Sequence, residues 1–226
     1  MGLKKEKKAT ANTPQVVTLI IDDSESMSWD NNKAGQATQS VQDLVIQMQS
    51  WNQQSSGFRY LLNIAKFGDD VTPIAEAALP GDIDLSSLTF RGESGTTQMA
   101  TALKWAYQAI QKSLNKCRQV PRYIESDSPN PLVIFFSDGE NSDDTATVIA
   151  EAQNLKSIPF QTGEADVVAV GIGMDQSHFE IMKDIASDVD LAVNIDPDKL
   201  GDFISEAAQT IGKSESPKKL VDQFES

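Results

Sequence analysis

Asp22, Ser24 and Ser26 stand at alternate positions in the stretch VVTLIIDDSESMS, residues 16–28. Alternate residues of an extended chain project from one face, so one carboxylate and two hydroxyls would converge on a single point. The cluster holds no His, Cys or Lys. Its donors are all oxygen, a set suited to hard cations such as Mg²⁺, Mn²⁺ or Ca²⁺. The six residues before it, Val16–Ile21, are apolar or β-branched and uncharged. Such a run reads as a strand buried on both faces, the kind found in parallel sheets covered by helices. The oxygen cluster would then lie just past the carboxyl end of a central strand, where open α/β sheets place their ligands.

Two further loops carry matching chemistry. SGTTQMATAL (94–103) leads into a helical pattern and presents Thr96 and Thr97, and FFSDGEN (135–141) places Asp138 directly after a second buried run, PLVIFF. Crossover connections bring such loops to one edge of a sheet. Three segments distant in sequence would then aim oxygens at one place. Taken singly, each residue also fits the role of a turn or helix-cap former; the convergence of five argues for a site.

Together these motifs resemble the metal-ion-dependent adhesion site of the von Willebrand factor type A domain. That pattern is D-x-S-x-S after the first strand, a Thr in G-[GST]-T-x-x-x-x-A-L, and an Asp in a D-G turn after the fourth strand. The matching positions are Asp22, Ser24 and Ser26, then Thr97 counted back from Ala102 and Leu103, then Asp138 with Gly139. Thr96 is the alternative if the register shifts by one. The resemblance spans about residues 15–212. It implies a Mg²⁺ or Mn²⁺ ion, ahead of Ca²⁺, held directly by hydroxyls and largely through water by carboxylates. It also implies an open coordination position that an acidic side chain of a partner protein fills. Asp23, Glu25, Asp30, Glu140, Asp143 and Asp144 would form an acidic rim opposing that anion. Asp30 stands without a second acid beside it and reads as a helix-start residue rather than an adjacent metal site.

The elements needed to position these loops are legible as periodicity. Helical faces run through 33–52, 98–115, 143–156, 176–187 and 198–211, and strands through 15–21, 58–67, 71–77, 131–136, 165–173 and 191–195. The turn Gly68–Asp70 is too short for a crossover, so 58–67 and 71–77 form an antiparallel hairpin, and Pro73 confines the latter to the sheet edge. The expected fold is a doubly wound α/β domain over 14–212. Its mostly parallel six-stranded sheet has one antiparallel edge strand and helices on both faces. Residues 1–13 read as a disordered basic leader, with KKEKK at 4–8, and 213–226 as a flexible tail.

Composition narrows the partners. A net charge of −14 over 226 residues disfavours nucleic acid and anionic membranes. One cysteine, Cys117, allows no internal disulfide and no thiolate zinc site. No apolar segment reaches the ~20 residues of a membrane span, and no apolar stretch follows the N-terminal lysines as in a signal peptide. A cytoplasmic setting follows. His178, the only histidine, reads as a surface residue, since no G-x-S-x-G elbow accompanies it. G-x-G at 171–173 does not continue to a dinucleotide motif, and no P-loop occurs.

The reading is of a non-enzymatic binding module that grips a partner protein through a metal-bridged carboxylate. In style it resembles the TerY-like group of bacterial stress-response proteins. One alternative is a metal-assisted phosphoester hydrolase with Asp23 or Glu25 as base, although both alternate away from the ligand face. Another is a non-catalytic subunit of an ATPase- or chelatase-type complex.

Overall fold

The computed structural model describes residues 7–28, 33–55, 57–139, 141–160 and 164–225. Its centre is β1 (Gln15–Asp22), flanked by β2 (Tyr60–Phe67) on one side and β4 (Leu132–Ser137) on the other. With β3 (Val71–Ala78), β5 (Asp166–Ile172) and β6 (Ala192–Ile195), the sheet runs in the order β3-β2-β1-β4-β5-β6. All pairings are parallel except β2 with β3. This is the expected doubly wound sheet, with Pro73 on its antiparallel edge.

Two apolar cores form because β1 alternates. Val17, Leu19 and Ile21 face α1 (Lys33–Gln53) and α5 (Leu200–Lys213), whereas Val16 and Ile20 face α2 (Met99–Cys117), α3 (Thr145–Lys156) and α4 (Gln176–Ile185). The face expected of 98–115 is the one that packs: Met99, Leu103, Ala106, Ile110 and Leu114 are all buried. One polar network is buried among them. Asn63 Oδ1 accepts from Ala77 N at 2.8 Å and from Ser113 Oγ at 3.0 Å, while its Nδ2 donates to Thr18 Oγ1 at 3.1 Å. It satisfies the backbone where β3 departs from regular register and Ala77 takes φ 46°.

For the site, the decisive feature is the reversal of strand order at β1. The chain goes from β1 outward through β2 and β3, then returns to the opposite side of β1 with β4. A crevice therefore opens between the carboxyl ends of β1 and β4. Asp22 ends β1 and Asp138 directly follows β4.

Residues 1–6 of the expected leader lie outside the described residues, while 7–13 and the segment after α5 pack against the body. Ala9 is buried, Lys7 Nζ donates to Ser126 O at 2.7 Å, and Ile124 N donates to Asn12 O at 2.9 Å. At the other end, 217–221 forms α6 (Pro217–Val221), capped by Ser216. Leu220 and Val221 are buried, and the Phe224 ring packs at a tilt against Phe203 of α5, 5.0 Å between centroids. Three apolar side chains within five residues gain enough burial to hold a charged segment in place.

Candidate metal centre

The five residues of the oxygen set come together. Asp22 has no exposed surface; its Oδ1 accepts from Ser24 N at 2.8 Å and its Oδ2 from Ser137 Oγ at 2.6 Å. Ser24 and Ser26 hydroxyls lie 3.1 Å apart, and Ser26 Oγ donates to Asp138 Oδ1 at 2.6 Å. A side-chain carbon placed on Gly139 would lie 3.2 Å from Thr97 Oγ1, 3.5 Å from Ser26 Oγ and 3.9 Å from Ser24 Oγ. Three hydroxyls from two loops thus surround one point beside the D-G turn of the third, a point that a larger residue at 139 would crowd.

Ser26 reaches this point by a route the alternating pattern did not anticipate. Extended backbone ends at Ser24, which bridges to Ser94, and Glu25–Ser28 turns as a 3₁₀ helix. The tight turn, not strand alternation, brings Ser26 back beside Ser24.

The two threonines are placed differently. Thr96 Oγ1 donates to Asp69 Oδ1 at 2.6 Å, outside the cluster. Thr97 is buried, and its backbone is held by Ser142, which accepts from Thr97 N at 3.1 Å and whose own N donates to Thr97 O at 3.0 Å. The loop reaches the site by lying across Gly68, where a side-chain carbon would stand 2.1 Å from Ser94 Cβ. Gly68 O also accepts from Gln98 N at 3.0 Å.

Burial dominates the electrostatics. It pushes the Asp22 carboxyl up to about 6, against the hydrogen bonds from Ser137 and Ser24 and with a small addition from the charge of Asp138. An ionised carboxylate there is desolvated, and a nearby cation relieves that cost. Among the described residues, no group of three or more His, Cys, Asp or Glu comes together. A cation in this crevice would therefore depend on the three hydroxyls, with Asp22 and Asp138 supplying charge. That oxygen-only set fits a hard divalent ion.

The von Willebrand factor type A domain model matches residues 17–206. The chain belongs to that family. Modules of the VWA family generally mediate protein–protein interaction. No curated protein matches the sequence significantly. Among solved structures, proximal thread matrix protein 1 of the mussel byssus is similar at TM-score 0.61 and 18% identity, over 91% of this chain and 49% of that one. A second structure of that protein has a zinc-occupied MIDAS motif (TM-score 0.60, 18% identity, 91% and 48% covered). The pilus adhesin SpaC of Lactobacillus rhamnosus GG gives TM-score 0.67 at 14% identity, over 96% of this chain and 32% of that one. The present chain thus spans about half the length of the matrix protein and about a third of the adhesin. At these identities the likeness is one of fold.

The acidic rim of this VWA domain is largely engaged in structure. Asp23 is buried. Its Oδ2 pairs with Lys66 Nζ at 2.8 Å, and its Oδ1 accepts from Arg91 N at 2.6 Å and Gly92 N at 2.8 Å. Asp143 accepts from Ala100 N at 2.7 Å, in the first turn of α2, and Asp144 caps α3. Glu25 is exposed. Asp30, read as a helix-start acid, and Glu140 lie outside the described residues. His178 lies in the first turn of α4, its Nδ1 3.1 Å from Asp175 Oδ2, away from the cluster.

The sequence reading missed a cation at the site. Lys33, the first residue of α1, places Nζ 2.5 Å from Asp138 Oδ2. The signal was available: a lysine in the first turn of a helix opposes the helix dipole and needs a nearby anion. Ser137 and Ser142 were missed too, because supporting hydrogen bonds of this kind leave no periodic trace.

Proposed function

We propose that this VWA domain is a divalent-cation-dependent protein-binding module. The Ser24, Ser26 and Thr97 hydroxyls would hold the ion. Asp22 and Asp138 would act largely through water, and an acidic side chain of a partner protein would complete the coordination. The observation that carries this reading is the convergence of the three hydroxyls on one point beside Gly139, 3.2–3.9 Å from it. The engagement of both Asp22 oxygens by Ser24 and Ser137 supports an indirect role for that carboxylate. Two carboxylates balance the charge of a divalent ion and the hydroxyls add none, so the ion keeps an appetite for an outside anion. Mg²⁺ or Mn²⁺ suits the set; the zinc-occupied motif of the mussel protein makes Zn²⁺ a necessary control.

The hydrolase alternative needs a free base beside the ion. Of the two candidate bases, Asp23 accepts two backbone N–H groups and pairs with a lysine, which makes it a poor proton acceptor, and Glu25 is exposed. A subunit role in an ATP-driven assembly uses the same surface and differs only in the partner. No helix among the described residues is long and apolar enough to cross a membrane. The cytoplasmic setting, the TerY-like grouping and a stress-response role rest on the sequence reading alone.

Calorimetric titration of Mg²⁺, Mn²⁺ and Zn²⁺ tests the site. Binding by the wild type and its loss in the Asp22→Ala, Asp138→Ala double variant is the expected result. Equal binding by the double variant would put the ion elsewhere on the molecule. A pull-down with and without chelator then tests whether partner capture needs the metal.

A further inference from the structure

Asp138 has no exposed side-chain surface, and both its oxygens are taken within the chain. Oδ1 accepts from Ser26 Oγ and Oδ2 from Lys33 Nζ. Lys33 itself is only 12% exposed at its side chain, so its ammonium has largely left water for this one carboxylate. Its place at the first residue of α1 gives it no help from the helix, whose N-terminal end repels a cation. Asp138 is thus what holds the Lys33 ammonium here, and the ammonium stands against the cluster in which Ser26 also points at Asp138.

From this juxtaposition we propose that Lys33 sets the metal affinity of the site, as an internal cation that competes with the divalent ion for Asp138. The inference rests on the metal-binding reading above and adds a determinant to it. A divalent ion beside Ser24, Ser26 and Thr97 draws on the charge of Asp138 and repels an ammonium on the same carboxylate. Loading therefore requires Lys33 to give up Oδ2. The lysine stem is flexible and its ammonium is a compact charge without fixed fork geometry, so it can swing aside while its helix stays packed. By linkage, whatever Lys33 loses when metal binds appears as weaker apparent metal affinity, and the coupling is reciprocal. The Asp138 pair thereby sets a threshold of metal concentration below which the site stays closed on itself.

Mn²⁺ titration by calorimetry or electron paramagnetic resonance tests this on the full chain. The panel is wild type, Lys33→Met, Lys33→Arg, Asp138→Ala and a charge control, Lys218→Met. Lys218 lies among exposed charges, 3.0 Å from Asp190 and from Asp222. Lys33→Met is expected to tighten Mn²⁺ binding by roughly tenfold or more, within the usual range of site-to-site coupling. Lys33→Arg should hold affinity near or below that of the wild type, and Lys218→Met should change it little. Thermal melts with and without Mn²⁺ confirm that each variant is folded. A wild type that binds, an Asp138→Ala that does not, and a Lys33→Met equal to or weaker than wild type would overturn the role of Lys33 and leave the metal site standing. If neither wild type nor Lys33→Met binds Mn²⁺, both the site and its competitor fall. Binding by Lys33→Met alone would be the strongest support, since removing the internal cation would then have opened the site.

Discussion

Two lysine–aspartate pairs flank the first loop of the domain, and they are built differently. Lys66 and Asp23 meet at 2.8 Å, and the second oxygen of Asp23 is fixed by backbone N–H groups of Arg91 and Gly92. Every other partner of that carboxylate belongs to the backbone of a different loop, so the pair clasps β2, the β1 loop and residues 91–92 together. Lys33 and Asp138 meet at 2.5 Å, but the second oxygen of Asp138 is held by a hydroxyl, Ser26, that is itself part of the oxygen cluster. In the first pair the aspartate is locked by backbone groups that cannot leave without local unfolding. The other is made of side chains that can change partners. Identical charge chemistry becomes a clasp or an exchangeable contact according to what holds the remaining lone pairs.

Breaking the clasp should have the largest effect. Asp23→Ala leaves the Arg91 and Gly92 N–H donors unpaired, at about 1–3 kcal/mol each where they stay buried, while Lys66, 26% exposed at its side chain, can turn to water. Urea denaturation would read the loss as a lower midpoint with the slope unchanged. Cys117 supplies a second readout. Burial raises its thiol to about 12, so across the neutral range it is protonated and the reactive thiolate is scarce in the native state. Thiol modification should therefore wait on opening of the structure, and be much faster in Asp23→Ala than in the wild type. Addition of Mn²⁺ should raise the stability of this variant by no more than it raises that of the wild type.

The exchangeable pair should behave in the opposite way. Lys33→Met leaves Asp138 buried and uncompensated, so the metal-free variant loses stability. Here the ion replaces the missing charge. Mn²⁺ at about 100 times its dissociation constant should return about 2.7 kcal/mol, following mass action. At one Mn²⁺ concentration, a melting temperature of Lys33→Met that rises no more than that of the wild type, or an Asp23→Ala that rises more than the wild type, would collapse the distinction between the two pairs.

The sequence made the oxygen-bearing loops legible for a physical reason. Strand burial, helical periodicity and the order of elements are local or repetitive signals, and they placed Asp22, Ser24, Ser26, Thr97 and Asp138 on one edge of the sheet. What escaped depends on contacts between distant residues. Asp23 looked like an exposed rim acid, because nothing local announces that Lys66 and the amides of 91–92 will reach it. Residues 217–224 looked like a tail because a five-residue helix is too short to show a period. Ser26 was given the right place by an incorrect route, since D-x-S-x-S reads the same in a strand as in a 3₁₀ turn. Lys33 is the exception. Its conflict with the helix dipole was visible and pointed to an anion nearby.

Ser137 tests how far the first loop relies on its supports. Its hydroxyl donates to Asp22 Oδ2 at 2.6 Å and fixes the carboxylate that faces the cluster. Ser137→Ala should weaken Mn²⁺ affinity by roughly 10- to 100-fold, the usual penalty for removing an outer hydrogen bond to a metal-site group. It should leave the Asp23 clasp, and hence the native-state reactivity of Cys117, close to wild type.

The adjacent threonines give the finest contrast. Thr97 is buried with its hydroxyl on the cluster, and Thr96 donates outward to the fully exposed carboxylate of Asp69. That hydrogen bond holds Asp69 below the usual carboxylate range and steadies the loop from outside, with solvent as an alternative partner for both groups. Thr97→Ala removes one of three hydroxyls that nothing else in the crevice can replace, so Mn²⁺ affinity should fall roughly tenfold or more. Thr96→Ala should leave both affinity and stability within about 0.5 kcal/mol of wild type, as for other surface substitutions. Equal losses in the two variants would mean that the loop binds as a unit through its conformation. The oxygen set would then have to be redrawn around backbone carbonyls instead of the Thr97 hydroxyl.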